Sequence, residues 1–472
     1  MLRVAVVGSG PSGVYAAQGL TAPAAGGGPQ VAVDVLDRLP CPYGLVRYGV
    51  APDHEKIKSL QNSLRTVLEQ PGVRFLGNVE VGAPPDTAPE PAPGADARTP
   101  RITPAGLLEL YHAVVYCVGA ADGRRLGIPG EDLRGSTSAT EFVSWYSAHP
   151  DAAGHSFDLS ARSAVVIGVG NVAVDVARVL ARGAAELRQT DVPHAALGAL
   201  AGSAVTDITL VGRRGPAQAR FTTKELRELG ALPDAEVRVR AAELARDPAC
   251  EDPSGLPAVA RRNLAVLREW AARPPATGPA RRRRIELRFY LRPVALLDDG
   301  HGAVRAVRFE RTAPADDGTV TGTGEYEDLP ARLVLRSVGY RGAPPAGLPC
   351  DAVTGTVPHA AGRVLRDGVP APGEYVAGWI KRGPTGVIGS NRPCAKETVT
   401  SLLADAEELL RRAGPRPGDP LEALRAAGLR PVVWTGWQAI EEAEAALGRS
   451  LDRGRVKIPD WPGLLAAAED RR

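Results

Sequence analysis

The chain has 472 residues, which at about 150 residues per domain is enough for two or three domains. Hydrophobic residues make up 44% and charged residues 24%, as in ordinary globular proteins, and the net charge of +3 gives no general attraction to nucleic acid. No apolar run reaches the roughly 18 residues of a membrane span and no signal-peptide pattern begins the chain, so we expect a cytoplasmic protein that binds neither membrane nor nucleic acid.

The first predicted element is a short buried strand, Leu2–Val7, that runs directly into a glycine-rich turn before a helix. Gly8, Gly10 and Gly13 have the spacing of a dinucleotide fingerprint. In such a fingerprint the glycines permit a tight turn, the close approach of a pyrophosphate, and the packing of the helix against the strand. The N-terminus is therefore predicted to bind a nucleotide.

The next predicted strand, over residues 31–37, ends on a carboxylate. Asp37 stands at about the distance along the chain at which an acid binds a ribose hydroxyl. We choose Asp37 over Asp34 because Asp34 lies inside the strand.

A second fingerprint follows an apolar strand that ends at Ile167. Gly168 and Gly170 are followed by Ala173 in place of the last glycine, and alanine is still small enough for close packing. Two nucleotide-binding units in one chain predict an α/β fold with two Rossmann-like domains.

The strand after the second fingerprint, residues 207–212, is followed by an arginine pair where a ribose-binding acid would otherwise stand. The guanidinium groups of Arg213 and Arg214 favour a 2′-phosphate through charge-assisted, bidentate hydrogen bonds. The second unit is therefore predicted to bind NADP(H) and not NAD(H).

Two similar apolar segments, 113–120 and 333–340, bracket the middle of the chain, and each ends near a glycine. We interpret them as the junctions of one domain inserted within another. The first domain would then comprise residues 1–119 and 333–472, and the inserted domain residues 120–332. The proline-rich segment 82–106 is predicted to be an exposed excursion.

The five cysteines are widely spaced and form no C-x-x-C or C-x-x-x-x-C pair. This pattern argues against a disulfide framework, an iron–sulfur cluster, a zinc ribbon and a redox-active dithiol. We predict no metal site.

Three longer stretches, 42–54, 211–228 and 378–389, carry a resemblance that extends over nearly the whole chain. They are similar to the adrenodoxin-reductase type of ferredoxin–NADP reductase, including its bacterial members. The resemblance implies FAD in the first domain and NADP(H) in the inserted one. It also implies a hydride passed from NADPH to FAD, then single electrons passed to an iron–sulfur protein, because flavin converts two-electron into one-electron chemistry.

Several site residues are implied by the resemblance alone. For FAD, in addition to the first fingerprint and Asp37, these are Ser12, Leu45, Val81, Trp379, Gly386, Val387 and Ile388. For NADP(H), in addition to Gly170 and the arginine pair, they are Asn171, Val172, Arg124, Glu225 and again Gly386.

His54 and Glu228 resemble the family's pair beside the nicotinamide. An imidazole and a carboxylate there could orient the ring and relay a proton. Glu225 and Glu228 are three residues apart on a predicted helix, 222–229, and so share a face.

The second unit also carries a local basic cluster that would attract an acidic ferredoxin. Its members are Arg213, Arg214, Arg220, Lys224 and Arg227. Because no ferredoxin-like cysteine cluster precedes the reductase, the acceptor is expected to be a separate ferredoxin. The resemblance favours a monomer, and a cytochrome monooxygenase is one destination for the electrons.

Four alternatives stay open. A pyridine-nucleotide disulfide reductase shares the double fingerprint but needs a cysteine pair. A quinone or flavin reductase would use the same reduced flavin. The third and fourth are a non-catalytic NADP sensor and the electron-input subunit of a larger enzyme. Whether the isolated chain turns over would distinguish these two from the reductases.

Overall fold

The computed structural model describes residues 1–22, 28–83, 100–120, 122–274, 283–315, 318–414, 416 and 418–469. Two largely parallel β-sheets organise these residues, and helices and strands are numbered below in chain order. The core of the proline-rich segment, residues 84–99, lies outside the described residues.

The first sheet is built from both ends of the chain. Its order is β16-β17-β18-β4-β1-β2-β3-β19, with β18, β4, β1, β2 and β3 parallel to one another. The strands are β1 (Leu2–Val7), β2 (Val31–Leu36), β3 (Val73–Gly77), β4 (Ala113–Tyr116), β16 (His359–Ala360), β17 (Arg363–Arg366), β18 (Val369–Val376) and β19 (Val432–Val433).

The second sheet comes from the middle of the chain, in the order β6-β14-β7-β8-β10-β9. Its strands are β6 (Ser136–Ser138), β7 (Ser163–Ile167), β8 (Asp207–Val211), β9 (Ala235–Val239), β10 (Arg283–Arg288) and β14 (Leu333–Arg336). The predicted boundary at residue 333 is wrong, because Leu333–Arg336 pairs in parallel with β7 and β6 and thus belongs to this sheet.

The chain crosses between the two sheets twice, and the two crossings lie side by side. β5 (Asp122–Gly123) and β15 (Tyr340–Arg341) pair antiparallel. The Arg124 N–H donates to the Gly339 carbonyl at 2.9 Å. The second crossing, which returns the chain to the first sheet, therefore begins after Arg336.

An antiparallel sheet covers one face of the second parallel sheet. It consists of β11 (Leu291–Asp298), β12 (Val304–Pro314) and β13 (Val320–Pro330). Val165, Ile167 and Val334 pack against Val307 and Phe309 in one buried cluster. Alternate residues of the same parallel strands, such as Val166 and Leu210, face the opposite cluster beneath the helices.

The helices cover the remaining faces. They are α1 (Pro11–Thr21), α2 (Leu45–Tyr48), α3 (Glu55–Lys58), α4 (Leu60–Leu68), α5 (Pro104–Leu110), α6 (Ala139–Tyr146), α7 (Asn171–Ala181), α8 (Ala184–Arg188), α9 (His194–Ala201), α10 (Thr223–Gly230), α11 (Ala241–Leu244), α12 (Pro248–Glu251), α13 (Ala258–Ala271), α14 (Trp379–Arg382), α15 (Asn391–Ala404), α16 (Ala406–Ala413), α17 (Pro420–Ala426), α18 (Trp434–Ser450) and α19 (Trp461–Glu469). Among the described residues no helix combines the length and apolarity that crossing a membrane requires.

Candidate functional site

The first fingerprint joins the carboxyl end of β1 to the N-terminus of α1. Gly8 has φ +110°, and a Cβ there would lie 2.5 Å from the Cys117 carbonyl oxygen; a Cβ on Gly13 would lie 1.8 Å from the Gly8 oxygen. These two glycines are therefore required by the chain's own packing. At Gly10 the nearest atom to an added Cβ is the Gly44 Cα at 3.9 Å, so the space on the Cβ side of this glycine is open.

The start of α1 offers donors for an anion. Gly10 caps this helix without a side-chain hydrogen bond, and the hydroxyl of Ser12 is buried without a partner. Free N–H groups at a helix N-terminus and an unpartnered hydroxyl beside an open glycine are the groups that bind a pyrophosphate. The residues present thus fit the diphosphate of a dinucleotide.

The acid at the end of β2 is held toward the fingerprint. Asp37 Oδ2 accepts hydrogen bonds from the Ser9 N–H at 2.8 Å and the Ser9 hydroxyl at 2.5 Å, while Oδ1 accepts one from the Leu39 N–H at 2.9 Å. Asp34, by contrast, is bound by Arg74 and by the Tyr111 hydroxyl at 2.7 Å. Asp34 serves the packing of the sheet, which favours Asp37 as the acid for a ribose hydroxyl.

The residues implied for the flavin approach the fingerprint from two sides. A Cβ on Gly44, the residue before Leu45, would lie 3.0 Å from the Gly10 Cα. A Cβ on Gly378, the residue before Trp379, would lie 2.5 Å from the Ser12 hydroxyl. Leu45 and Trp379 therefore begin short helices that start against α1.

Two of these side chains are apolar and exposed. Leu45 is 39% and Val387 61% exposed, as expected of residues that an apolar ring system would cover. Gly386 has φ +81° and precedes Val387, and Ile388 begins a short 3₁₀-helix. Val81 is more distant: it bridges to Ile102 and packs on the other face of the first sheet.

The second fingerprint repeats this division of roles. Gly168 has φ +140° and a Cβ there would lie 2.1 Å from the Ser337 oxygen, Ala173 is fully buried, and Gly170 has open space around the Cβ position. Gly170 caps α7 without a side-chain hydrogen bond. The half-buried Val172 follows Asn171, whose side-chain oxygen accepts the Thr222 N–H at 2.8 Å and so ties this turn to α10.

The arginine pair stands just beyond β8. Within the described part of the chain no carboxylate forms an ion pair with Arg213, Arg214 or Arg220. Burial lowers the pKa of Arg214, and repulsion from Arg220 and Arg213 adds to this. Uncompensated positive charge at this position fits a 2′-phosphate.

Arg124 links the two nucleotide units. Its side chain is exposed, and its Nε donates to the Tyr340 carbonyl at 3.0 Å. The Tyr340 ring lies 5.4 Å from the Trp379 ring, centroid to centroid. A residue implied for NADP(H) and one implied for the flavin thus both contact Tyr340.

His54 meets helices of the second unit. Its Nε2 lies 2.9 Å from Glu225 Oε2 and 3.0 Å from Asp175 Oδ1, and its Nδ1 lies 3.6 Å from Glu228 Oε2. His54 is buried, whereas the Glu228 side chain is 31% exposed. The structure therefore brings the predicted pair together, with the open edge of the imidazole facing Glu228.

Glu225 binds His54 and Arg178 in this arrangement, as a buried member of the same cluster. The Thr222 hydroxyl accepts the Glu225 N–H and caps α10, which fixes the glutamates on one helix face. The predicted helix 222–229 is observed as Thr223–Gly230.

Ion pairing shifts the pKa values of His54 and Asp53 in this cluster. Burial alone would lower the pKa of His54, but the carboxylates of Asp175 and Glu225 outweigh it and raise that pKa to about 9. Burial alone would raise the pKa of Asp53, but Arg178 and Arg182 lower it to about 2. His54 is therefore an imidazolium among carboxylates.

Sequence reasoning missed three members of this cluster: Asp53, Asp175 and Arg178. Asp175 and Arg178 stand three residues apart in α7, whose other side chains after Asn171 are apolar. Charged side chains on an otherwise apolar helix are a signal that could have identified them. Donor atoms of His54, Asp175 and Glu225 lie within 4.8 Å of one another, but Arg178 lies among them and already supplies positive charge, so we assign no metal ion here.

The cysteines form no redox pair. Cys41, Cys117, Cys250, Cys350 and Cys394 are all free. Burial raises the pKa of the Cys117 thiol to about 12 and that of Cys41 to about 11, which makes both poor nucleophiles. Disulfide-reductase chemistry is thus disfavoured.

The comparisons with known proteins agree with this geometry. Residues 2–240 match the family model described as pyridine nucleotide-disulphide oxidoreductase. The chain is 42% identical to the NADPH-ferredoxin reductase FprA of Mycobacterium leprae, over 98% of this chain and 97% of that protein. It is 38% identical to the mitochondrial NADPH:adrenodoxin oxidoreductase of Arabidopsis thaliana, over 99% and 95%.

Among solved structures, Mycobacterium tuberculosis FprA in complex with NADPH superposes with a TM-score of 0.87 at 41% identity, covering 99% of each chain. Fold and site define a pyridine-nucleotide-dependent oxidoreductase with two dinucleotide folds. Within that class, the chain belongs to the NADPH-ferredoxin reductase family of the adrenodoxin-reductase type.

Proposed function

We propose that the protein is an NADPH–ferredoxin reductase that holds FAD on the first fingerprint and NADP(H) on the second. FAD, when bound, would supply the conversion between the two-electron chemistry of NADPH and the one-electron chemistry of an iron–sulfur protein. The observation that carries the proposal is the pair of open glycines, Gly10 and Gly170. The first turn stands beside the carboxylate of Asp37, and the second precedes Arg213 and Arg214, which form no ion pair with a carboxylate among the residues that the structure describes.

The protein's own groups divide the work as follows. The N-termini of α1 and α7 bind pyrophosphates, Asp37 accepts a ribose hydroxyl, and Arg213 and Arg214 bind the 2′-phosphate. Trp379 and the segment 386–388 border the flavin ring. His54 holds a proton at Nδ1, and Glu228 exchanges protons between that atom and solvent.

The partner is proposed to be a separate ferredoxin, and the protein a cytoplasmic monomer whose electrons can serve a cytochrome monooxygenase. The free cysteines support the location, since they are typical of a reducing compartment. The sensor alternative is disfavoured because a buried imidazolium–carboxylate cluster stands between the two nucleotide units.

The test is an anaerobic titration of the purified protein. We expect a flavin absorption spectrum that bleaches with NADPH in preference to NADH and recovers as added ferredoxin is reduced. A protein unable to take up FAD would refute the proposal and favour a sensor. Bleaching without electron transfer to any ferredoxin would favour the quinone or flavin reductase.

Removing either member of the proton pair should slow flavin reduction by NADPH. We expect His54→Ala and Glu228→Ala each to lower the stopped-flow rate by about 10²-fold, the usual size of general acid–base assistance. The matched control is Glu55→Ala, because Glu55 follows His54 in the chain but is exposed. Rates equal to the control in both variants would exclude this role.

Docking of an acidic ferredoxin on the basic cluster should depend on salt. We expect kcat/KM for ferredoxin to fall by about tenfold between 50 and 500 mM salt, because screening removes the attraction of exposed charges. Reduction of a neutral quinone is the control and should change little. Salt-independent ferredoxin reduction would place the docking surface elsewhere.

A further inference from the structure

Helix α7 places one guanidinium at the centre of the His54 cluster. Arg178 is fully buried, and all three nitrogens of its fork are used. Nε and Nη2 bind both oxygens of Asp53, at 2.6 and 3.1 Å. Nη2 also lies 2.8 Å from Asp175, and Nη1 lies 3.4 Å from Glu225 and 3.3 Å from Glu228.

These contacts come from three separate parts of the fold. Asp53 immediately precedes His54, Asp175 stands one turn earlier on α7, and Glu225 and Glu228 are on α10. Nη2 of Arg178 also contacts His54 Nε2 itself. Every carboxylate that faces the imidazole is therefore held by the same guanidinium.

The charges around His54 are nearly balanced only because Arg178 is present. The groups that face the cluster are four carboxylates and the cations that pair with them: Asp53, Asp175, Glu225, Glu228, Arg178, Arg182 and Lys224. The phenols of Tyr146 and Tyr340 are neutral neighbours, because burial raises the pKa of both. Without Arg178 the carboxylates would outnumber the remaining cations more strongly.

We propose that Arg178 is a positioning residue for NADPH oxidation, which holds Glu225 against the buried edge of His54 and Glu228 against the open edge. The inference rests on the proposed function. Because Asp175 and Glu225 occupy the Nε2 edge, proton exchange is confined to Nδ1 and Glu228. Arg178 fixes this direction from a fully buried position.

The positive charge of Arg178 opposes the imidazolium, so removing it should raise the pKa of His54 whatever else the residue does. The positioning role is therefore tested by the rate of flavin reduction in a variant that keeps the charge but loses the fork that holds the glutamates. Arg178→Met should raise the His54 titration midpoint by about one pH unit. Arg178→Lys keeps the positive charge but loses the planar guanidinium. We expect it to leave the His54 titration midpoint within about 0.3 pH units of wild type while weakening the contacts that hold Glu225 and Glu228.

The experiment measures His54 by NMR in ¹⁵N-histidine-labelled, FAD-loaded protein, and separately the rate of flavin reduction by NADPH against pH. We expect the rate at pH 7 to fall about tenfold in both variants. The pH at which the rate falls on the alkaline side should move to a higher value only in Arg178→Met. The matched control is Arg182→Met, which removes an equal charge that also binds Asp53 but does not touch His54.

Each outcome decides the proposal. A His54 midpoint and a rate profile in Arg178→Met that match those of Arg182→Met would overturn it. If Arg178→Met does not retain FAD or does not melt cooperatively, Arg178→Lys decides instead, and a wild-type rate in that variant would overturn the need for the fork. A wild-type protein that NADPH does not reduce would refute the proposed function, while the NMR titration would still test whether Arg178 controls His54.

Discussion

A variant with a very large expected effect is Gly10→Val, which should be purified without its yellow colour. The chain itself leaves room for a Cβ at Gly10, since an added one would meet nothing closer than 3.9 Å. The isopropyl group would instead stand where the pyrophosphate must approach the backbone. We expect FAD affinity to fall by at least about 100-fold, which is about 2.7 kcal/mol.

The matched control is Gly170→Val in the second fingerprint, where the Cβ position is equally open. That variant should keep its flavin and its bleaching by dithionite but lose reduction by NADPH. The ratio of flavin absorbance to protein absorbance measures the flavin content of both variants. Full flavin content in Gly10→Val would exclude this turn as the FAD site. Gly13 is unsuitable for the test, because a Cβ there would lie 1.8 Å from the Gly8 oxygen and disturb the fold.

Replacing Arg213 and Arg214 together with alanine should remove the preference for NADPH. Hydrogen bonds to charged groups contribute about 1.5–3 kcal/mol each, so the loss of both arginines should lower kcat/KM for NADPH by about 10²- to 10⁴-fold. The value for NADH should hardly change, because NADH has no 2′-phosphate. Steady-state kinetics with both nucleotides and a small acceptor measure the ratio.

The double variant Arg411→Ala/Arg412→Ala is the charge-matched control, since these adjacent arginines lie on the exposed face of α16. It should retain the wild-type ratio of NADPH to NADH efficiency. A ratio unchanged in the Arg213 and Arg214 variant would mean that other groups recognise the phosphate.

Both nucleotide units could be predicted from sequence because their signals are local. Each fingerprint lies between its own strand and helix, and the observed β1, α1, β7 and α7 follow the predicted positions closely. Asp37 could be preferred to Asp34 for the same reason. A short strand is recognised by the alternation of its own residues, and an acid at its end by its position in the chain. Neither signal depends on distant residues.

The strand Leu333–Arg336 shows where local signals stop. Its pattern resembles that of Ala113–Tyr116, and the two were predicted to lie in one domain. The observed strands lie in different sheets, because membership of a sheet depends on hydrogen-bonded partners far away in the chain. The antiparallel sheet β11–β13 was likewise not predicted.

Only part of the candidate proton site could be predicted from the sequence. His54 and Glu228 came from resemblance, whereas Asp175 and Arg178 carry a physical signal that was overlooked: charged groups in an otherwise apolar helix. Which atoms those groups bind could not be known from sequence, because His54 and α10 approach α7 only after both sheets have formed.

The division of the first sheet between the two ends of the chain constrains the order in which the protein can fold during synthesis. Every strand of the second sheet lies between Ser136 and Arg336, so that unit can form once this stretch has left the ribosome. The first sheet must wait for β18, which pairs with β4 across more than 250 intervening residues. A nascent chain should therefore acquire its NADP(H) unit before it can retain a flavin.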